Sequence, residues 1–559
     1  MKVYEAVAEA LVAEGCATLF GVMGDGNMSL WGALGRDGKI AITSACHEAG
    51  AVAMADGYSR TTGTVGLATV TCGPGLTQVG TSLMVAVRNR SPLVLVIGEI
   101  PPGSKNNLQS MDQRRFVEAC GARFQEVTSI DNLADEVAEA FYAARAHRCP
   151  VVLNLPIDLQ ERSFEWDFEY RPSTAYLPPP VGAPDEHALT PLLDKLLAAE
   201  RPVIVAGSGA RAAGAKEEIL KLADRIGALL ATSLNAKGLF AGEEYDVGIS
   251  GTFASAPAEQ LMVEADFVLA IGAQLNYYTA EGGLMFPSAE VARVDIDPAP
   301  EEIGFLPGLH VRGDAKKTTE ALYNMLEARQ IRKHGFRTPE TRAVLQSPPH
   351  VFEKPADGLD PRLLASNLGR ALPKGSLVTC GLGHFFSFPA IYLSLPERAE
   401  IHFSSQFGAV GQGLPLAIGI GVGNPGRPHV VIEGDGSLMM NIQELETAAR
   451  HKLQIVVVVW NDAGYGAEAH KLRAKGFDPR LAQWESPDFA AIGRAFGGDG
   501  VRLQSEAELV PAVEKGLRAG GLYLIDARVS PSTMSDPYSK IHFGMVNRAP
   551  LLRPLARTA

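Results

Sequence analysis

Two aspartates stand where a metal could be held beside a phosphate. Asp435 lies in Gly434-Asp435-Gly436, directly after an apolar run at 430–432. Asp462 follows a nearly pure valine run at 455–460 and opens a loop, Asp462-Ala463-Gly464-Tyr465-Gly466. Glycines allow a tight turn and a close approach of backbone to ligand. In open α/β sheets, ligands lie beyond the carboxyl ends of strands and phosphates lie at helix N-termini. A bare carboxylate repels a phosphate, so acids at such a place call for a divalent cation between them. Magnesium takes oxygen ligands, commonly one or two carboxylates plus the phosphates themselves. Alone, Gly-Asp-Gly more often marks a plain turn. The second acid one helix later favours metal ligands.

A third carboxylate, Glu48, begins a run of small residues, Glu48-Ala49-Gly50-Ala51, that continues through Val52-Ala53-Met54-Ala55-Asp56-Gly57. Small residues let a backbone or a ligand come close. On its own residues Glu48 reads first as a helix first-turn acid, favourable to the dipole by ~0.3–1 kcal/mol. His47-Glu48 opens like HExxH, but Ala51 occupies the second histidine's place and the zinc-protease reading fails.

The elements that must carry these groups follow from periodicity. Leu438, Ile442, Leu445 and Ala449 share one helical face, so 430–468 reads as strand, turn, helix, strand. Strands are expected at 17–22, 65–70, 93–97 and 151–155, then at 203–206, 267–271 and 292–296, and in the last third also at 377–379. Alternation with helical stretches predicts parallel sheets flanked by helices. Proline-rich 171–184 and charged 335–358 read as linkers. The expected units are 1–170, 186–335 and 360–530, with a basic tail at 531–559 that folds back as a lid.

At 559 residues the chain exceeds a single core. A net charge of −12 argues against nucleic acid or an anionic membrane as the main partner. Six scattered cysteines without CxxC spacing predict reduced thiols in a cytoplasmic protein. Residues 1–15 read as an amphipathic helix stopped at Gly15 rather than a signal peptide, and no apolar run approaches the ~20 residues of a membrane span.

The Gly434–Asp462 pattern resembles the diphosphate-binding signature of thiamine diphosphate (ThDP) enzymes, and the layout of the whole chain is similar to the acetolactate synthase and pyruvate decarboxylase group. The resemblance implies three Rossmann-like, doubly wound α/β domains: pyrimidine-binding, central and diphosphate-binding. It implies Mg2+ on Asp435, Asp462 and the Gly464 carbonyl, with Gly434, Gly436 and Ser437 around the diphosphate. Asp462 replaces the more usual asparagine, keeping an oxygen ligand and adding charge. Glu48 matches the glutamate that bonds the aminopyrimidine and promotes its imino tautomer, which activates the cofactor. That glutamate comes from a neighbouring subunit, so a homodimer or homotetramer with interfacial active sites is implied. Gly73-Pro74-Gly75 resembles the turn near the pyrimidine. Gly408-Ala409-Val410-Gly411 resembles the segment whose glycine carbonyl takes the 4′-amino group. Val410 there props the bent cofactor, against the competing reading of an ordinary core valine. Gly383 and His384 fall where relatives contact diphosphate, although a lone histidine is commonly structural.

The reaction class stays open between subgroups. Asp25, in Gly24-Asp25-Gly26-Asn27, resembles the proton-relaying acid of 2-oxo acid decarboxylases. Glu468 falls at another of their catalytic glutamates, or is a solvated helix residue. Their His-His pair is absent, with Asn106-Asn107 in its region. Gln109, in Gln109-Ser110-Met111-Asp112, resembles a substrate-contacting residue of acetolactate synthases. Gly207-Ser208-Gly209 and Asp295-Ile296-Asp297-Pro298 resemble parts of a flavin site, but Gln274-Leu275-Asn276-Tyr277 replaces its arginine-bearing segment. FAD is therefore possible but not favoured. The expected activity is that of a ThDP- and magnesium-dependent 2-oxo acid decarboxylase and carboligase, a lyase or transferase acting on 2-oxo acids or aldehydes. The enamine left after carbon dioxide departs would be protonated or would attack a second carbonyl. The alternatives are an FAD-containing acetolactate synthase, an acyltransferase similar to sulfoacetaldehyde acetyltransferase, or a non-catalytic nucleotide-binding paralogue.

Overall fold

Runs of valine, isoleucine and leucine that are apolar on both faces become central parallel strands covered by helices on each side. The computed structural model describes residues 1–101, 104, 107–298, 308–347 and 351–543. Its strands are β1 (Thr18–Gly21), β2 (Ala41–Ser44), β3 (Gly66–Val70), β4 (Leu93–Glu99), β5 (Arg123–Glu126) and β6 (Pro150–Pro156). Next come β7 (Pro202–Ala206), β8 (Leu229–Thr232), β9 (Asp246–Ile249), β10 (Phe267–Ile271), β11 (Glu290–Asp295) and β12 (Leu309–Arg312). The last set is β13 (Leu377–Cys380), β14 (Glu400–Phe403), β15 (His429–Gly434), β16 (Ile455–Asn461), β17 (Asp499–Arg502) and β18 (Leu522–Arg528).

These strands form three six-stranded parallel α/β sheets, as the periodicity predicts. The first runs β2-β1-β3-β4-β6-β5, and the third repeats that order as β14-β13-β15-β16-β18-β17. The central sheet differs, running β12-β11-β10-β7-β8-β9. The strand order reverses between β1 and β3, between β13 and β15, and between β7 and β10. Each reversal opens a crevice at the carboxyl ends of its strands, where ligands bind in such sheets.

The first and third sheets are packed together within one chain. The helix Glu48–Thr62 crosses the helix Gly413–Gly423 at backbone contact. A Cβ at Gly57 would overlap the Leu416 carbonyl, and one at Gly419 would overlap the Met54 carbonyl. Ala51, Met54 and Ala55 share one buried cluster with Leu414, Ala417 and Ile418. The small-residue run after Glu48 is thus explained by a helix crossing. Around it, Ser82 Oγ donates to Gln412 Oε1 at 2.9 Å and Arg60 Nη1 to the Phe403 carbonyl at 3.2 Å.

Some expectations change in detail. The helix expected through Ala449 is two helices, Asp435–Met440 and Glu444–Arg450. Asn441 breaks them because its Nδ2 reaches sideways to the Gly411 carbonyl at 2.6 Å. Residues 335–358 include a helix, Pro339–Leu345, capped by Thr338. In the proline-rich stretch Ser173 is buried, its N–H donating to Glu14 Oε1 at 2.7 Å. Beyond 530 the chain folds back as the helix Asp536–Phe543, and 544–559 lies outside the described residues. Among those residues, no helix is long and apolar enough to cross a membrane.

Candidate active site

The crevice between β13 and β15 gathers the residues of the opening pattern. Asp435 leaves the end of β15 and Asp462 the end of the adjacent β16. Asp435 is buried, and its Oδ2 accepts the Gly464 N–H at 3.1 Å. Burial pushes the Asp435 carboxyl up to about 6 against hydrogen bonds from Gly436 and Gly464. Burial and the neighbouring Asp435 carboxylate push Asp462 well above the usual range. Among the described residues no Lys, Arg or His is ion-paired to either. Nor does any group of three or more His, Cys, Asp or Glu gather as a self-sufficient metal cage. Two crowded acids without a cation are what a site completed by a ligand's oxygens would present.

The loop carrying Asp462 is held in an unusual conformation. Ala463 has φ 58°, a region that residues with a Cβ rarely adopt. Asn461 sustains it, its Oδ1 accepting from Ala463 N at 3.2 Å and its Nδ2 donating to Asp526 at 2.9 Å. Outside, Trp484 N donates to the Ala463 carbonyl and Tyr465 N to the Ala482 carbonyl. Gly383 and Gly434 both face the Phe385 ring, where a Cβ on either would come within 2.8 Å. A Cβ at Gly436 would lie 2.7 Å from the Tyr465 ring. Ser437 Oγ accepts the Gly411 N–H at 3.1 Å, tying the Gly408–Gly411 segment to the aspartate turn. In that segment Gly408 is exposed and Val410 half-buried.

His384 is buried beneath the C-terminal segment. Ser535 N donates to its Nε2 at 3.2 Å, and its ring lies 4.5 Å from His470 and 5.1 Å from Tyr538. Burial, reinforced by His470, pushes the His384 imidazole down to about 3. Glu468 points outward, 3.7 Å from Lys471.

The matching crevice of the first sheet, between β1 and β3, gathers a second group. Asn27 braces the turn bearing Asp25, its Oδ1 accepting from Gly24 N at 2.8 Å and its Nδ2 donating to Thr69 Oγ1 at 3.1 Å. The Asp25 side chain is left exposed. Gly26 N donates to Thr71 Oγ1 at 3.1 Å, bringing that turn beside Cys72 and Gly73. Cys72 Sγ donates to Gln109 Oε1 at 3.2 Å, and Gly73 N to Gln113 at 2.9 Å; Pro74 is exposed. Asn107 Oδ1 accepts from Gln109 N at 2.9 Å, whereas Asn106 lies outside the described residues. Glu48 follows β2, half-buried at the first position of its helix.

The sequence reading passes over two buried acids. Glu433, the last acid inside β15, accepts from Leu414 N at 2.9 Å, and burial pushes it up to about 7. Glu444 accepts from the backbone just before Glu48. A charge inside an apolar strand was the available signal for Glu433; no local pattern marks Glu444.

Comparison with known proteins decides the family. Residues 1–117, 189–322 and 381–527 match, in order, the N-terminal TPP binding domain, central domain and C-terminal TPP binding domain of thiamine pyrophosphate enzymes. A probable 2-ketoarginine decarboxylase of Pseudomonas aeruginosa is 30% identical over 94% of this chain and 93% of its own. The chain belongs to the thiamine pyrophosphate enzyme family. This ThDP enzyme is also similar to the acetolactate synthase large subunit of Haemophilus influenzae, 26% identical over 99% of each chain. The large subunit of Escherichia coli acetolactate synthase isozyme 2 is 29% identical over 94% of each. The ThDP enzyme is thus similar over nearly its whole length to both a probable decarboxylase and acetolactate synthase large subunits.

Proposed function

We propose that this protein is a ThDP- and Mg2+-dependent 2-oxo acid decarboxylase with carboligase activity. One observation carries the reading: two adjacent carboxylates, Asp435 buried and Asp462 half-buried, without a cationic partner among the described residues, at the crevice of the sheet that matches the C-terminal TPP binding domain. The residues fit the implied cofactor. Asp435, Asp462 and the Gly464 carbonyl offer hard oxygen ligands for Mg2+, and the glycines leave space that side chains would fill.

Bound ThDP supplies a carbon acid that adds to a carbonyl and holds the electron pair released when carbon dioxide leaves. Glu48, from the neighbouring subunit of a homodimer or homotetramer, bonds the aminopyrimidine and sets its tautomer. The Gly408 carbonyl takes the amino group, Val410 props the ring, and Pro74 lines the pyrimidine side. Gly383, His384, Gly434, Gly436 and Ser437 border the diphosphate, with His384 acting as a neutral wall because its imidazole is held uncharged. Gln109 touches substrate, and Asp25 and Glu468 handle substrate or protons. Asp25 and Glu468 are both exposed in the single chain, which suits groups completed by a partner.

The domains are drawn at 1–170, 186–335 and 360–530, with 531–559 as the closing tail. The likeness to acetolactate synthase large subunits supports a second reading, in which a second 2-oxo acid is the acceptor. The test is direct. The purified protein with ThDP and Mg2+ is offered pyruvate, 2-oxobutyrate, 2-ketoarginine and aldehydes, and products are identified by mass. Aldehyde or hydroxyketone formed only with both cofactors supports the reading; no turnover on any 2-oxo acid, despite bound ThDP, overturns it.

A further inference from the structure

The helix Glu444–Arg450 clamps the turn that presents Glu48. Glu444 is fully buried, and its two carboxylate oxygens accept consecutive backbone N–H groups, Cys46 N at 3.3 Å and His47 N at 3.0 Å. Thr447 Oγ1, one turn along, donates to the same carboxylate at 2.7 Å. Arg450, three residues further on the same face, donates through Nη2 to the Ser44 carbonyl at 2.9 Å. A Cβ at Gly50 would overlap the Glu444 carboxylate, so the first turn of the Glu48 helix is cut to fit this acid. These bonds span about 400 residues of sequence and join the third sheet's helices to the end of β2.

We infer that Glu444 is a positioning residue for Glu48, acting within one chain. A carboxylate taking two successive N–H groups fixes the orientation of the peptides that enter the helix, and Glu48 is the next residue. Its direction is therefore set by the third domain of its own subunit. This rests on the preceding reading, in which the cofactor that Glu48 serves belongs to the partner subunit. Each active site then depends on helix Glu444–Arg450 of the subunit that does not hold its diphosphate.

Glu444→Gln replaces an acceptor oxygen with an NH2 group facing the same donors. The holoenzyme variant should stay folded, with a lowered melting temperature, and keep its ThDP affinity but slow hydrogen–deuterium exchange at the cofactor's reactive carbon, read by NMR, by about tenfold to a hundredfold. Glu444→Asp should recover part of the rate. Unchanged exchange in Glu444→Gln would overturn the inference. If Glu444→Gln does not fold, Thr447→Val, which removes a donor to the same carboxylate, takes its place.

Doubly tagged hybrid dimers separate this from simple support of the diphosphate site. Pairing Glu48→Gln with Asp435→Asn leaves one intact site and should restore activity; failure there overturns the cross-subunit reading itself. Pairing Glu444→Gln with Glu48→Gln should restore nothing, because both defects fall on Glu48 groups and each site receives one. Restored activity in that hybrid, with the control also restored, would show that Glu444 serves its own chain's diphosphate site and would sink only the present inference.

Discussion

The central and third sheets both end a strand in a glycine-rich turn and both carry two aspartates near it, yet their physical states are opposite. In the central sheet a Cβ on Gly207 would overlap the Gly272 carbonyl, and one on Gly209 would come within 2.9 Å of the Gly272 Cα. Those glycines are filled by neighbouring backbone. In the third sheet Gly434 and Gly436 face side-chain rings, the buried Phe385 and the partly exposed Tyr465, rather than backbone. The acids differ in the same sense. Asp295 is paired with Arg293 at 2.7 Å, and Asp297 with Arg90 and, at 2.8 Å, Arg148. Burial opposes ionisation of Asp297, but the two guanidiniums outweigh it and hold its carboxyl below the usual range. Asp435 and Asp462 have no such partner among the described residues and are pushed up instead. A motif that is satisfied from within is architecture. One that is left short of a cation is a binding site.

The largest expected effect breaks that distinction directly. Asp435→Asn, alone or with Asp462→Asn, removes the charge that draws Mg2+, a loss of several kcal/mol for the metal-bound diphosphate. ThDP affinity in Mg2+ should fall by more than about a hundredfold. Calorimetric titration checks this, and the same titration of Asp297→Asn should match the parent protein. Equal losses in both variants would erase the contrast between the two sheets.

The strands and the paired aspartates at their ends were legible because their signals are local. A valine run followed by glycine and aspartate is readable within ten residues. The three-sheet layout followed from alternation, and the crevices follow from strand order, which no single segment carries. What stayed hidden was tertiary. Glu444 meets Cys46 and His47 across about 400 positions, so its clamp has no sequence period. The continuous helical face through Ala449 was real as a pattern, yet Asn441 interrupts it to reach Gly411. For Glu468 and His384 the family spacing gave a position but not a setting: Glu468 faces outward beside Lys471, and His384 is covered by the segment at Ser535.

Packing gives the next largest effect. Gly207→Ala drives a methyl into fixed backbone and should cost about 3 kcal/mol, the upper range for overpacking. Gly436→Ala meets side chains rather than backbone, the ring of Tyr465, which is 39% exposed, and beyond it the edge of Trp484. It should leave the melting temperature nearly unchanged while weakening ThDP binding. Chemical denaturation and cofactor titration of both variants would reverse the assignment if the pattern came out swapped.

Acid sharpens the comparison through histidines, which are concentrated in the third sheet. Burial pushes His384 and His429 down to about 3, and His470 to about 4. An unfolded histidine titrates near ~6.5, so below that pH the unfolded chain binds protons the folded chain refuses. The histidine contribution is full above about pH 6.5 and falls as pH drops towards 3, by up to about 1.4 kcal/mol per pH unit for each histidine. Glu433 and Asp435, pushed up to about 7 and about 6, take up protons on folding and oppose the fall until unfolded carboxylates titrate near ~4. Hydrogen exchange below about pH 4, where the carboxylate contribution no longer grows and the histidine loss does, should open the third sheet before the central one. His429→Gln, which can keep the bond now made between Thr379 Oγ1 and His429 Nε2 at 2.8 Å, should flatten the slope.

The smallest effect is expected at Asp297. Its arginines are partly exposed, Arg90 at 43% and Arg148 at 39%, so solvent screens both pairs. Asp297→Asn should cost no more than about 1 kcal/mol. Its value lies in what else it tests. Were this acid the ribose anchor of a flavin nucleotide, FAD would have to compete with two guanidiniums already bound to it, and these also tie the central sheet to the first. The parent protein should therefore show no flavin absorbance and no quenching of added FAD. Asp297→Asn frees the arginines without creating a flavin site, so it should behave the same. Tight FAD binding by the parent, lost in Asp297→Asn, would move the central crevice from architecture to cofactor site and bring the acetolactate synthase reading forward.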